Sequence, residues 1–267
     1  MYVSSFFNLD ISQWQICVVT GSSDMYHAYI GNKEVANFPS VVDERKCESP
    51  QFSNELVVVP RKSFGKVVLF VKDKIIAEIQ SKHCFHLIGE VIWYYERKRI
   101  FFLQFNNGVL SEQVSHDCES FIKVCIANPY DPSEVIVKLS RKFMFIRYKG
   151  DGIFSVFDVP LFNYVKPMFF APGAFINNQD VLFVDASDKI RSISVPDIRI
   201  HEGYRLITPC SGVLAVIEDA MDDFQIRMNV FSFSNNFANY DIEERIVSIP
   251  HILDQCEMTV FSTYDVW

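Results

Sequence analysis

The sequence predicts an all-β fold built from a repeated unit, on the evidence of one pattern and its spacing. The pattern is a strand, a short polar turn and a second strand, with apolar residues alternating along both strands. The unit recurs at intervals of about 40 residues, a period typical of rings of four-stranded blades and of other repeat arrays. Such units stack because one unit cannot bury its own apolar faces. Six copies are found, at residues 15–30, 55–71, 90–105, 143–159, 180–195 and 212–233.

The individual strands are predicted from short runs rich in β-branched and aromatic residues. Clear examples are residues 67–71, 91–95, 100–103 and 213–217. Between two such runs, Gly150, Asp151 and Gly152 provide a strong tight-turn signal. No long window has the period of roughly 3.6 residues that marks an amphipathic helix, so we expect little helix.

Prolines mark where one unit is expected to end. An apolar residue followed by proline closes a strand-like run at Pro39, Pro160, Pro196 and Pro250. Proline has no N–H to donate to a neighbouring strand, so it suits the end of an edge strand. These positions are therefore predicted blade boundaries.

One copy carries a resemblance to a known family. Residues 143–159, FMFIRYKGDGIFSVFDV, resemble the middle of a WD40 repeat, with Phe157 and Asp158 where that family usually has Trp-Asp. Residues 128–132 resemble the polar, proline-bearing stretch that leads into such a repeat, and residues 182–195 share its turn logic. The resemblance implies a β-propeller of about six four-stranded blades over residues 1–250. A β-sandwich is the alternative, because short strands with frequent turns fit it too.

The tail, residues 251–267, contains one more strand candidate at 258–262. One hypothesis is that this strand closes the ring by pairing with the first blade near residues 1–7. The other is that it begins a seventh blade that the chain does not complete, which would leave an exposed strand edge.

Composition limits the function classes. The net charge of −8 argues against broad attraction to nucleic acid or to an anionic membrane. No apolar run approaches the roughly 18 residues needed to span a bilayer, so we expect no membrane insertion. Seven cysteines without a CxxC pair do not resemble a disulfide framework, which favours a cytoplasmic or nuclear protein.

Common catalytic and cofactor motifs are missing from the sequence, including phosphate-binding loops, the GxSxG elbow and the HExxH zinc motif. We expect neither an enzyme nor a cofactor. The best metal candidate combines His83, Cys84 and His86 with residues 116–118, but its spacing is loose for zinc, and packed residues with free thiols are the preferred interpretation. The acidic run 218–223 lacks the order of an EF-hand loop and is interpreted as a solvated turn. No metal site is predicted.

The turns predict an interaction surface. If each copy forms the second and third strands of its blade, symmetry places all six turns on one face. That face would have a basic half and an acidic half, able to orient a partner; ordinary solvated turns are the alternative. The basic half comprises Arg61, Lys62, Arg97, Lys98, Arg99 and Lys149, and the acidic half comprises Asp185, Asp188, Glu218, Asp219, Asp222 and Asp223.

These observations favour a non-enzymatic protein-interaction scaffold, a subunit of a larger assembly that docks other proteins on its loop face. One alternative is a propeller enzyme or small-ligand binder that uses the central channel. It would need ionisable residues facing the channel, whereas residues 134–139, interpreted as channel-side, are mainly apolar. The other alternative is a nucleic-acid-associated regulatory subunit using the basic turns, because aromatic residues 93–95 precede Arg97. Nucleic acid is the less favoured partner, given the net charge.

Overall fold

The computed structural model describes residues 2–21, 25–39, 51–53, 56–61, 66–71, 74–80, 85–106, 109–159, 167–177, 179–196, 198, 205–217, 225–237 and 239–248. Every regular element in these residues is a β-strand. The described segments contain no helix long and apolar enough to cross a lipid bilayer. The chain divides into two compact units, Met1–Pro160 and Leu161–Trp267.

The first unit begins with two four-stranded antiparallel sheets, each formed by consecutive strands paired in chain order. Sheet 1 consists of β1 (Tyr2–Asn8), β2 (Gln13–Gly21), β3 (Met25–Ile30) and β4 (Lys33–Pro39). Sheet 2 consists of β5 (Gln51–Phe52), β6 (Leu56–Arg61), β7 (Lys66–Val71) and β8 (Lys74–Gln80).

Two further sheets complete the first unit. In sheet 3 the outer position is shared by two short strands, because β12 and β13 both pair with β11. Its strands are β9 (Phe85–Ile88), β10 (Val91–Glu96), β11 (Arg99–Asn106), β12 (Val109–Leu110) and β13 (Val114–Asp117). Sheet 4 consists of β14 (Val124–Ala127), β15 (Glu134–Lys138), β16 (Phe143–Gly150) and β17 (Ile153–Val159).

The second unit has two sheets of the same kind. Sheet 5 consists of β18 (Met168–Ala171), β19 (Ala174–Asn177), β20 (Asp180–Val184) and β21 (Ile190–Ser194). Sheet 6 consists of β22 (Arg205–Cys210), β23 (Val213–Ile217), β24 (Gln225–Phe233) and β25 (Tyr240–Ser248). The described residues therefore form six antiparallel meanders, as the predicted four-stranded units require.

The hydrophobic core of the first unit lies between neighbouring sheets. Strand β10 shows why: Trp93 and Tyr95 pack towards sheet 4, whereas Ile92 and Tyr94 pack towards sheet 2. Alternate side chains of a strand point to opposite faces, so a strand covered on both faces is apolar throughout. The aromatic residues of β10 are buried, which removes the base-stacking platform required by the nucleic-acid interpretation of residues 93–95.

In the second unit, aromatic side chains join sheets 5 and 6. Phe237 lies in the turn between β24 and β25 with a φ of 57°, a left-handed backbone uncommon for a bulky residue. Its ring meets Phe170 of β18 at 5.6 Å and Phe183 of β20 at 5.7 Å. The packing of Phe237 between these rings offsets the backbone strain.

Four of the six sequence copies are the second and third strands of their sheets, as predicted. The prediction is wrong for residues 143–159 and 180–195, which form the third and fourth strands of sheets 4 and 5. The strongest turn signal in the sequence does not lie between second and third strands. Gly150, Asp151 and Gly152 all have positive φ, but they join β16 to β17. Residues 134–138 are accordingly the second strand of sheet 4, and β14 is its first.

Three of the four predicted boundary prolines agree with the sheets, and the fourth, Pro250, lies outside the described residues. Strand β4 ends at Pro39, β17 ends immediately before Pro160, and β21 ends at Ser194, two residues before Pro196. The tail, residues 251–267, and the strand candidate at 258–262 lie outside the described residues.

Candidate protein-interaction surface

Polar side chains on the first strands of the first unit tie neighbouring sheets together. Gln51 of β5 donates from Nε2 to the carbonyl of Phe85 at 2.9 Å and accepts from the N–H of Leu87 at 2.7 Å. His86 of β9 donates from Nε2 to the carbonyl of Cys125 in β14 at 2.8 Å. These side chains satisfy the backbone of the next sheet, and they therefore stiffen the frame that carries the loops.

A buried carboxylate stabilises sheet 4. Glu134, fully buried at the start of β15, stands directly opposite Arg147 of β16. Its Oε1 accepts from Arg147 Nε at 2.8 Å and Nη2 at 2.6 Å, and its Oε2 accepts from Asn128 Nδ2 at 2.7 Å. The Arg147 guanidinium also lies 5.5 Å from the centre of the Phe145 ring. A buried charge needs such partners, so we assign this group a structural role.

Aromatic rings join sheets 1 and 4 at the end of the first unit where first and second strands connect. The Phe7 ring lies 4.7 Å from Tyr130 and 5.5 Å from Trp14, edge to face. Nearby, Gly89 has a φ of 56°, and an added Cβ would come within 2.9 Å of Leu9 Cδ1. The first turns of sheets 1, 3 and 4 thus pack closely at this end.

At the opposite end, the predicted basic turn joins β10 to β11. Arg99 forms a bidentate ion pair with Asp117, at 2.6 and 3.1 Å, which raises the pKa of Arg99 and lowers that of Asp117. Lys98 Nζ donates to the carbonyl of Glu119 at 3.3 Å and lies 5.7 Å from the centre of the Phe121 ring. Arg97 is exposed, has a φ of 54°, and pairs with no other described side chain.

The segment between β13 and β14 packs against this turn. The N–H of Cys118 donates to the backbone carbonyl of Lys98 at 2.7 Å, and the N–H of Ile122 donates to the backbone carbonyl of Arg97 at 2.8 Å. Between these anchors Phe121 projects outwards, with 57% of its surface exposed. The "Phe121 surface" denotes this ring and the six cations near it: Arg97, Lys98, Arg99, Lys123, Arg141 and Lys142.

Half of these cations are engaged within the protein. Lys142 Nζ pairs with Asp158 at 2.7 Å and Glu119 at 3.1 Å, and both contacts raise its pKa. Arg97, Lys123 and Arg141 are exposed and form no ion pair within the described part of the chain. Glu96, next to the turn, is likewise exposed and has no cationic partner among the described residues. Free cations therefore outnumber free carboxylates on this surface.

Successive turns of an antiparallel meander alternate between the two ends of its sheet, which corrects the shared-face prediction. Lys149 lies beside the turn between β16 and β17, so it is at the end of sheet 4 opposite Arg141. Asp185 and Asp188 likewise lie in the turn between the third and fourth strands of sheet 5. The basic turn at residues 97–99 remains on a second-to-third connection, whereas the six turns do not share one end.

Asp185 organises its own turn. One carboxylate oxygen accepts from the hydroxyl of Ser187 at 2.6 Å and from the N–H groups of Ser187 and Lys189, while the other accepts from Arg191 Nε at 2.7 Å. These bonds hold the pKa of Asp185 well below its usual range. Its charge is therefore used within sheet 5.

The remaining predicted interaction residues cannot be placed as side chains. Arg61 ends β6, but its side chain lies outside the described part of the structure. Five others fall outside the described residues altogether: Lys62, Glu218, Asp219, Asp222 and Asp223.

Of the disfavoured metal candidates, His83 and Cys84 fall outside the described residues. The others are engaged separately: His86 with the Cys125 carbonyl, Asp117 with Arg99, and the His116 ring 5.7 Å from Phe154. Burial, together with nearby Asp117 and Glu119, raises the pKa of the Cys118 thiol to about 11. The described residues contain no group of three or more side chains positioned for a metal ion.

Comparison with solved structures shows the fold. Neither protein-family profiles nor curated sequences match the chain. Hsv2 from Kluyveromyces lactis has a TM-score of 0.58 at 11% identity, over 88% of this chain and 83% of that one. The WD40 domain of SCAP from fission yeast has a TM-score of 0.53 at 11% identity, over 94% of this chain and 74% of that one. Together with the six meanders, these similarities show an all-β fold of the WD40-like β-propeller type.

Proposed function

We propose that this protein is a non-enzymatic scaffold, a subunit of a larger assembly that docks other proteins through the loop ends of its sheets. The observation that carries the proposal is that polar groups of the first unit fall into two sets, one bonded within the protein and one exposed to solvent. Side chains of first strands, such as Gln51 and His86, bond to the backbone of the next sheet. Exposed cations and the exposed ring of Phe121 lie together at a loop end. A rigid set of sheets that carries such loops suits partner binding, because less conformational entropy is lost on association.

The WD40-like fold supports this proposal only at the level of fold, since one fold hosts many functions. The chemical argument is that aromatic and arginine side chains are enriched in the buried centres of protein interfaces. Phe121, Arg97 and Arg141 provide both types of side chain on one exposed surface. We also propose that the protein acts in the cytoplasm or nucleus, which is supported by the thiols of Cys17, Cys118 and Cys210, since they form no disulfide within the described part of the chain.

Affinity purification of the tagged protein under native conditions tests the scaffold proposal. We expect companion proteins in constant ratio by mass spectrometry, and a complex of matching mass by size-exclusion chromatography with light scattering. Recovery of the protein alone at physiological concentration would overturn it. Imaging of a fluorescent fusion tests the location.

A separate proposal concerns the tail. We propose that residues 251–267 contribute a strand that pairs with the first blade and so closes the β-propeller of residues 1–250. Deletion of residues 255–267 should then lower the melting temperature. An unchanged melting temperature would rule this pairing out.

A further inference from the structure

We propose that the Phe121 surface binds an acidic segment of a partner protein, with an apolar side chain of that segment packed on the Phe121 ring. This inference rests on the proposed scaffold function and names the site and the chemistry of its ligand. The site combines a ring that is 57% exposed with three exposed cations that have no partner among the described residues.

The backbone holds this surface in a fixed shape. The bonds from Cys118 to Lys98 and from Ile122 to Arg97 attach both sides of the Phe121 loop to the β10–β11 turn. The ion pair of Arg99 with Asp117 and those of Lys142 with Glu119 and Asp158 add side-chain contacts at the edge of the Phe121 surface. A partner therefore meets a preorganised site, and little conformational entropy is lost in ordering it.

The charges select an acidic ligand. The Arg97 carbonyl accepts from the N–H of Ile122, which lies between Phe121 and Lys123 in the chain, and Arg141 is next to Lys142, which bonds to Glu119 in the same loop. Carboxylates spaced around an apolar residue could approach these cations while the apolar residue covers the ring. Lys98 lies over the ring at 5.7 Å and supplies an additional cation close to that contact.

An aromatic ring among cations also suits single-stranded nucleic acid, but two observations favour a protein ligand. Asp117, Glu119 and Asp158 are interleaved with the cations, which lowers the positive potential that a polyphosphate chain needs. The protein as a whole carries a net charge of −8 and repels a long polyanion more strongly than a short acidic peptide.

Selection of random dodecapeptides displayed on phage against the full-length protein tests the proposal. We expect enrichment of sequences with several Asp or Glu residues around an apolar residue. The best peptide is then synthesised with a fluorophore and titrated by fluorescence anisotropy, beside a labelled oligouridine of the same length. Absence of acidic enrichment, or tighter binding of oligouridine than of the peptide, would overturn the proposal.

Two variants separate the charges from the ring. Arg97→Asn with Lys123→Gln removes two cations, and asparagine tolerates the left-handed backbone at position 97. We expect peptide affinity to fall about tenfold through slower association, with a weaker salt dependence. Phe121→Ala should weaken binding about tenfold through faster dissociation.

Lys33→Gln is the matched control, because Lys33 is an exposed cation in the β3–β4 hairpin of sheet 1. It should leave peptide binding unchanged, and all variants should keep the parental melting temperature. Peptide binding that survives both surface variants would overturn the proposed site. If those variants still purify with the same companion proteins, the scaffold function stands and only the assigned surface is wrong.

Discussion

Replacing Arg147 with methionine should destabilise the first unit by leaving the buried Glu134 carboxylate without its guanidinium. Loss of one partner of a buried ion pair costs about 3–5 kcal/mol. The Arg147 side chain is 21% exposed and Asn128 still donates to Glu134, so we expect the lower end, about 3 kcal/mol. With a urea m-value of about 2 kcal/mol/M, the unfolding midpoint would fall by about 1.5 M.

Tryptophan fluorescence during urea unfolding is the appropriate assay. Trp93 is fully buried, and its Nε1 donates at 2.7 Å to the carbonyl of Pro132, close to Glu134. Adding Glu134→Gln to Arg147→Met should recover much of the loss, because the amide removes the buried charge and keeps an acceptor for Asn128. Arg141→Met is the matched control, an exposed arginine of sheet 4 without an ion pair among the described residues, and should change stability by less than about 0.5 kcal/mol.

The reasoning would be refuted if Arg147→Met unfolded at the same urea concentration as Arg141→Met. It would also fail if the double variant were no more stable than Arg147→Met alone, because the cost would then come from lost packing on Phe145 and not from the charge.

Three further predictions follow from the described contacts. Gln51→Ala removes two hydrogen bonds between sheets 2 and 3 and should cost about 2 kcal/mol in urea unfolding, whereas the exposed Gln13→Ala should cost little; equal effects would contradict the bridging role. Because burial raises the Cys118 pKa to about 11, iodoacetamide at pH 8 should label Cys118 far more slowly than the exposed Cys210, as peptide mass spectrometry would reveal; comparable rates would disprove this. Asp185→Ala should destabilise sheet 5 at pH 7. A lowered folded pKa contributes stability above the unfolded value, so the difference from the parent should narrow as the pH falls below about 4 in thermal unfolding, and a constant difference would count against it.

The sequence predicts the order of strands in a sheet only where the turns between them contain residues with strong turn preferences. The hairpin of residues 90–105 was assigned correctly, because its apolar runs and its polar turn coincide. In sheet 4 the second-to-third turn contains Ser140 and Arg141, which carry no strong turn signal, whereas the Gly150–Gly152 turn between the third and fourth strands carries a clear one. The Glu134–Arg147 pair could have been found, since Glu134 is the lone carboxylate of an apolar strand. Its partner becomes evident once the two strands are aligned.

The interaction surface was predictable only in part. The run of three cations at residues 97–99 is visible in the sequence, but the engagement of Arg99 by Asp117 is not. Phe121 is placed beside the turn by backbone bonds between Cys118 and Lys98 and between Ile122 and Arg97, residues at least 20 positions apart. Such long-range bonds depend on the packing of whole sheets and leave no local pattern, which is why the exposed ring was missed.

The contact of Phe7 with Tyr130 has a consequence for how the chain reaches its native state. The two rings are separated by about 120 positions, and a contact between distant positions requires closure of a large loop before it stabilises anything. During synthesis, the amino-terminal meander must wait for the fourth one to leave the ribosome before Phe7 and Trp14 are covered. Nascent chains halted before Tyr130 would therefore present both rings to chaperones.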